Sequence, residues 1–334
     1  MRKGILVVFT GVILCSLILG ALYLYYQNLM TTNGSENYII IKKNLTIEQV
    51  AKQLQEKEII KSQDTFIYYA KAKGLKGSIE GGNFIIEPNT KLNELIIRLK
   101  AGKSEFTVIT IPEGYTLYQI ASKLEQNKLV KKEDMLKEEL NVLKANTLIL
   151  SKKDVLYDLE GYLFPDTYYF PNDAKKGEVI NIMVDRFKLV FTDKYKARAK
   201  ELAFDVNEVV TIASLIEREA ANDSERSRIA GVIHNRLKIG MPLQVDAAVI
   251  YANTKGEKNI DKVYYNTLKI KSKYNTYLYK GLPPGPIASP GKPSIEATLY
   301  PEKNDYLYYV AKGNGHVFSK TYEEHLINVK KYIK

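Results

Sequence analysis

Residues 4–26, GILVVFTGVILCSLILGALYLYY, run for 23 residues without a charge. A helix rises about 1.5 Å per residue and a bilayer core is about 30 Å thick, so the run is long enough to cross a membrane once. Arg2 and Lys3 precede it and would hold a short N-terminus, residues 1–3, in the cytoplasm. Tyr23, Tyr25 and Tyr26 stand where interfacial aromatics are expected on the far side. The rest of the chain is then expected outside the cytoplasm, held at the cell membrane by one transmembrane helix. A cleaved signal peptide is the competing reading, but the run is long for one and no clear A-x-A site follows it. Cys15, the only cysteine, lies inside the run behind Leu14, so the external part can neither form a disulfide nor use a thiolate.

The chain has 334 residues, room for two or three domains with a sizeable core. Lys and Arg outnumber Asp and Glu by 49 to 38, a net charge of +11. For an external protein that excess suits anionic lipid headgroups or an anionic wall polymer. Nucleic acid is not an expected partner, because lysines such as those from Lys194 to Lys200 are spread over helical faces instead of gathering with stacking aromatics.

Residues 27–37 are polar and read as a linker. An internal repeat follows. Thr46-Ile47-Glu48-Gln49-Val50-Ala51-Lys52-Gln53-Leu54 matches Thr116-Leu117-Tyr118-Gln119-Ile120-Ala121-Ser122-Lys123-Leu124 at an offset of 70 residues, and the match continues through Ile59-Ile60-Lys61 with Leu129-Val130-Lys131 and Asp64 with Asp134. Each copy begins with a strand-like run, Tyr38–Ile41 or Phe106–Ile111, and leads through a turn into a Thr-capped amphipathic helix. Gly81 to Ile86 reads as a further strand, and Leu92 to Leu99 as a helix ended by Gly102. The strand, helix, helix, strand order of 38–104 resembles a LysM-like glycan-binding module, with a purely structural role as the alternative. Residues 105–154 are expected as a second αβ module with a helical, lysine-rich connector, and 155–334 as a mixed α/β catalytic domain. The expected fold class is therefore α+β, built as a transmembrane helix, a LysM-like small αβ module and a catalytic domain.

Two segments have unusual texture. Leu159-Glu160-Gly161-Tyr162-Leu163-Phe164-Pro165-Asp166-Thr167-Tyr168-Tyr169-Phe170-Pro171 would serve as a lid, a sugar-stacking surface or, for most of its residues, a clasp between core elements. Residues 281–291 hold four prolines and three glycines, which excludes helix and central strand. Such a stiff, uncharged loop is expected either as a cleft wall or as a packed connection.

Asn207 to Ala220 carries the chemistry. At about 100° per residue, Val209, Ile212, Ala213, Ile216 and Ala220 share one side, the pattern of a core-facing helix, while Arg218 points away. Glu219 projects between Ile212, Leu215 and Ile216, and Glu217 leaves on the other flank near Val210 and Ser214. A carboxyl against apolar surface has its charged form disfavoured, which suits a general acid near neutral pH. The plain alternative is a solvated helix edge, or ion pairing with Arg226 or Arg228.

Other chemistries find little support. His234, His316 and His325 show no i, i+4 pairing and no cysteine partner, so no metal spacing is visible, and His316 reads as a turn cap or pocket edge. No G-x-S-x-G, S-x-x-K or phosphate-cradling loop occurs, and nothing signals a cofactor. Carboxylate chemistry remains, and with it glycosidic bonds.

The ordered motifs Ala213-Ser214-Leu215-Ile216-Glu217-Arg218-Glu219, Ser224-Glu225-Arg226, Asn235-Arg236-Leu237, Leu243-Gln244-Val245-Asp246, Tyr274-Asn275-Thr276-Tyr277 and Gly281-Leu282-Pro283-Pro284-Gly285-Pro286-Ile287 resemble the YceG-like (MltG) endolytic murein transglycosylases. The resemblance extends to LEGYLFPDTY at 159–168 and to the N-terminal run. Arg218 and Ala220 depart from the Lys and Thr common there, without removing a carboxylate. The resemblance implies that Glu219 is the catalytic residue of a lyase cutting the β-1,4 bond between N-acetylmuramic acid and N-acetylglucosamine within new glycan strands, leaving 1,6-anhydro ends. Proximity to the membrane implies peptidoglycan synthases as partners, and with no cofactor or metal signal in the residues neither is expected. Glu217, Gln244, Asp246, Asn275 and Tyr277 are candidate substrate-binding residues. Rival readings are a muramidase, with Asp246 or Glu225 activating water, and a non-catalytic wall-binding scaffold.

Overall fold

The computed structural model describes residues 2–34, 37–75, 78–79, 81–137, 153–258 and 267–333, with side chains described from Ile13 onward. Most of the expected lysine-rich helical connector, 138–152, lies outside the described residues.

Helix α1 (Arg2–Leu29) contains the uncharged run. Its described apolar side chains are exposed on every side, Leu14, Leu17, Leu22 and Leu24 among them. Among the described residues no helix is long and apolar enough to cross a membrane, and positions 4–12 of the expected span lie outside the described side chains. The segment expected as a free linker is tied down in part: α1 continues to Leu29, and the Thr32 N–H donates to Thr90 O at 2.9 Å.

The chain forms two compact units, one of Met1–Thr107 with Tyr169–Asn172, the other of Val108–Tyr168 with Asp173–Lys334. In the first, β1 (Asn37–Ile41), β2 (Leu45–Thr46), α2 (Ile47–Glu56), α3 (Gln63–Ala72), β3 (Ser78–Ile79), β4 (Gly82–Ile86) and α4 (Leu92–Ala101) follow in order. Strands β1 and β4 pair antiparallel, with Ile39 opposite Phe84, and β2 pairs with β3. Ile39, Val50, Leu54, Phe66, Phe84, Leu95 and Leu99 are fully buried between this sheet and the helices. Gly81 is required at the turn into β4: its φ is +78°, and a Cβ there would lie 2.6 Å from Lys43 N.

Next come β5 (Phe106–Thr110), α5 (Leu117–Gln126), α6 (Lys132–Leu136) and β6 (Thr167–Pro171), with β5 paired to β6. The repeat in sequence is a repeat in backbone. Thr46 caps α2 and Thr116 caps α5, each in a reciprocal capping box with the Gln three residues on. The positive φ values recur at the same offset, at Asn44 and Gly114 before the helices and at Glu58 and Lys128 after them.

The second unit continues with α7 (Lys176–Val190), α8 (Asp193–Glu201), α9 (Val206–Glu219), α10 (Arg226–Lys238), α11 (Asp246–Thr254), α12 (Lys292–Leu299), the hairpin β7 (Tyr308–Ala311) and β8 (His316–Ser319), and α13 (Tyr322–Tyr332). Helix α9 is central and packs on α8, α10, α11 and α12. Asp205 opens it with a capping box to Glu208. Val209, Val210, Ile212, Leu215 and Ile216 are all fully buried, each contributing roughly 1.5–3 kcal/mol by leaving water.

The segment at 159–171 is the clasp among its three expected roles. Glu160 is buried and accepts from Leu117 N at 2.8 Å and Tyr251 Oη at 2.9 Å, while Tyr162 Oη donates to Asn207 Oδ1 at 3.0 Å. The Pro- and Gly-rich loop is the packed connection. Gly285 to Gly291 is buried, and Ile287 N donates to Ser214 Oγ on α9 at 3.1 Å.

Candidate active site

The last turn of α9 opens onto a cavity of about 490 Å³ in the second unit. Its lining comes from α9 (Glu219), the end of α10 (Arg236), the turn into α11 (Leu243, Gln244, Asp246), the loop at Tyr277, the β7–β8 hairpin (Tyr308, Tyr309, Val310, Ala311, His316) and α13 (Tyr322, His325).

Glu219 is held on several sides. Tyr309 Oη donates to its Oε2 at 3.1 Å, and the Ala247 N–H at the start of α11 donates to it as well. Burial raises its pKa to about 7, against the lowering effects of Tyr309, Ala247 and Arg218, and the negative charge of Asp246 raises it further. A helix N-terminus aimed at the carboxyl favours the anion left after a proton is given away, while the apolar surroundings favour the acid beforehand.

Asp246 is the first residue of α11 and accepts from Tyr277 Oη at 2.5 Å. Gln244 lies two residues earlier with φ +51°, a left-handed conformation that costs free energy for a residue with a Cβ. It is held there by Gln244 N donating to Thr276 O at 3.1 Å and by Val245 N donating to Thr276 Oγ1 at 2.9 Å. Arg236 is buried and binds backbone, donating from Nε to Leu307 O at 2.6 Å and from Nη1 to Leu243 O at 2.7 Å, so it ties the strand leading into β7 to the turn before α11. Its guanidinium also lies over the Tyr308 ring.

Of the residues expected from sequence, the structure gathers Glu219, Gln244, Asp246 and Tyr277 around one cavity. It places the other two elsewhere. Glu217 faces α12 and is only 6% exposed: Oε1 pairs with Arg226 at 3.1 Å, and Oε2 accepts from Gly291 N at 3.0 Å and Ser294 Oγ at 2.8 Å. With its oxygens so engaged, it fastens α9 to α12 and is not among the residues that line the cavity. Asn275 is fully buried; its Nδ2 donates to Leu268 O and Ile270 O, and its Oδ1 accepts from Tyr277 N. It shapes the loop that presents Tyr277. Glu225 is also occupied, by Ala221 N and by His316, and is absent from the lining.

Sequence reasoning missed Tyr309, Arg236, Tyr308, Tyr322 and His325. They lie 17 or more residues from Glu219 in sequence, and no fixed spacing links a helix end to a distant hairpin. Among the described residues, no group of three His, Cys, Asp or Glu side chains is placed to hold a metal ion.

A buried acid with its pKa raised to about 7, in a polar and aromatic cleft, makes this a candidate proton-transfer site. Comparison with known proteins gives it a family. Residues 39–331 match the YceG-like family. The chain is 37% identical to the endolytic murein transglycosylase of Bacillus subtilis, over 95% of this chain and 91% of that protein. It is 33% identical to the protein of the same name from Streptococcus pneumoniae, over 90% of this chain and 59% of that one. A crystal structure of a YceG-like protein from Listeria monocytogenes superposes with a TM-score of 0.64 at 34% identity, covering 87% of this chain and 98% of that one. The chain belongs to the YceG-like family.

Proposed function

We propose that this protein is an endolytic peptidoglycan lytic transglycosylase whose proton donor is Glu219. The observation that carries the reading is the placement of the Glu219 carboxyl, with its pKa near 7, in a cavity lined by polar and aromatic side chains. Its relatives named endolytic murein transglycosylase support the same reaction.

The bond cut is the β-1,4 link between N-acetylmuramic acid and N-acetylglucosamine inside a strand. Protonated Glu219 gives its proton to the bridging oxygen as the C1–O4 bond breaks. The muramyl 6-hydroxyl then closes on C1, and the Glu219 carboxylate takes the hydroxyl proton, which restores the acid and leaves a 1,6-anhydro end. One carboxyl suffices because the nucleophile belongs to the substrate. Gln244, Asp246 and Tyr277 bind sugar hydroxyls and acetamido groups along the cavity. Hydrolysis is the alternative outcome, since Asp246 faces the same cavity as Glu219 and would serve as the base for water.

The uncharged run at 4–26 anchors the enzyme to the membrane, a reading supported by the exposed apolar side chains of α1. Proximity to the membrane implies action on newly made strands, near the synthases. The unit holding β1–β4 and α2–α4 acts as a LysM-like module that grips the glycan, a reading supported by the helix pair α2–α3 set between the antiparallel partners β1 and β4, with α4 as an addition to the strand, helix, helix, strand order.

Digestion of purified peptidoglycan by the full chain in detergent, with product masses read by mass spectrometry, tests the reaction. Anhydro ends, with no water added, support a lyase. Products heavier by one water would make the enzyme a muramidase, and no cleavage would reduce it to a scaffold.

A further inference from the structure

Glu225 sits in the turn between α9 and α10 with its side chain almost wholly buried, yet it has no part in the proton transfer described above. It makes three short contacts: Ala221 N to Oε1 at 2.7 Å, His316 N to Oε2 at 3.0 Å, and His316 Nδ1 to Oε1 at 2.9 Å. Two of the three are to one residue, so the carboxylate grips both the backbone and the ring of His316. His316 begins β8 and lines the cavity that holds Glu219. Its ring also packs edge-on against Tyr309, the residue that donates to Glu219, with centroids 5.2 Å apart.

The pairing fixes the chemistry of the ring. A carboxylate accepts only, so the Nδ1 that faces it carries the proton. In the neutral imidazole Nε2 is then a bare acceptor on the ring edge away from Glu225, and Nε2 is not among the buried polar atoms left without a partner. A histidine so held loses little freedom when it binds, which is the form a positioning contact takes. Packing alone explains this less well. A buried carboxylate costs several kcal/mol to desolvate, and an apolar pair would hold the hairpin to the turn without that penalty.

We propose that His316, oriented by Glu225, is a substrate-contacting residue that accepts a hydrogen bond from a sugar hydroxyl and sets the sugar beside Glu219. The proposal rests on the glycan-cleaving reading of this cavity and adds a contact to it. No bond is made or broken by His316; its effect is geometric, and misplacement of a reacting group by about 1 Å can cost on the order of 100-fold in rate.

The test compares four forms of the full chain on purified peptidoglycan: wild type, His316→Phe, His316→Gln and Glu225→Gln. Turnover, KM and melting temperature are measured for each. His316→Phe keeps a ring against Tyr309 but has no acceptor, and kcat/KM is expected to fall about 10- to 100-fold, mostly in kcat. His316→Gln, whose amide oxygen reaches the place of Nε2, is expected to recover part of that loss. Glu225→Gln, which loosens the ring without removing it, is expected to fall between the two, with little change in KM. Near-normal turnover of His316→Phe overturns the proposal. So does a loss in His316→Phe and His316→Gln that tracks a lowered melting temperature equally in both, which is the mark of a structural role. Glu219→Gln in the same assay separates the failures: if it stays active the reading of the cavity falls, and if it is dead while His316→Phe is normal only this inference falls.

Discussion

Tyr309 Oη lies 3.1 Å from Glu219 Oε2 and donates to it, joining the β7–β8 hairpin to the last turn of α9 across the cavity. The bond favours the ionised carboxyl, whereas burial and the charge of Asp246 favour the neutral acid. The balance leaves a carboxyl whose pKa is about 7.

The balance can be tipped either way. The acid form is needed for the first step, so kcat/KM is expected to decline as pH rises through about 7. Tyr309→Phe removes an interaction that lowers the pKa, so the declining limb moves to higher pH. Asp246→Asn removes a charge that raises it, so the limb moves to lower pH. Both pH profiles, with rate losses set aside, check the assignment; a limb that stays fixed in both variants would detach it from Glu219.

Glu217 is expected to matter for stability instead of chemistry. Its pairing with Arg226 is largely buried, and removing one partner of such a pair costs about 3 kcal/mol or more. Glu217→Ala should therefore lower the denaturation midpoint clearly. Glu217→Gln keeps acceptors for Gly291 and Ser294, loses less, and should leave measurable cleavage.

Glu160 makes the fold itself pH-dependent. Burial raises its pKa from 4.5 to about 8, although Leu117 N and Tyr251 Oη both bond it. The folded state thus holds a proton that the unfolded chain has released between those values. The stability it provides is complete below about pH 4.5 and is lost as pH rises through about 8, a change of order 4 kcal/mol. Urea midpoints from pH 5 to 9 should fall in the wild type and fall less steeply in Glu160→Gln.

Gly161 bears on the same clasp. Its φ is +84°, and a Cβ there would lie 2.6 Å from Pro286 Cβ and 2.9 Å from Val210 Cγ1. Gly161→Ala combines backbone strain with a clash between packed, stiff neighbours, and a loss of roughly 2 kcal/mol or more in denaturant titration is expected.

Much of the scaffold was legible because it obeys local rules. The Thr46 and Thr116 capping boxes, the 70-residue repeat and the apolar face of α9 follow from spacings of three and four residues, and Glu219 stood out as the carboxyl on that face. Polarity, in contrast, does not reveal direction. Asn275 and Glu217 are polar residues turned inward to satisfy backbone groups or an arginine, and nothing in their spacing separates them from Asp246 or Tyr277, which face the cavity. Tyr309 and His316 reach the site from the β7–β8 hairpin, some 90 residues further along the chain, and Arg236 from the end of α10, with its side chain turned to backbone carbonyls.

The most direct test of the central assignment is the yield of 1,6-anhydro ends from purified peptidoglycan treated with Glu219→Gln and Glu217→Gln forms of the full chain. Gln at 219 keeps size and most hydrogen bonding but cannot transfer a proton. The expected result is a fall of at least about 100-fold for Glu219→Gln, with folding and wall binding intact, beside measurable activity for Glu217→Gln. Near-normal turnover of Glu219→Gln with a dead Glu217→Gln would contradict the account and exchange the roles of the two carboxyls.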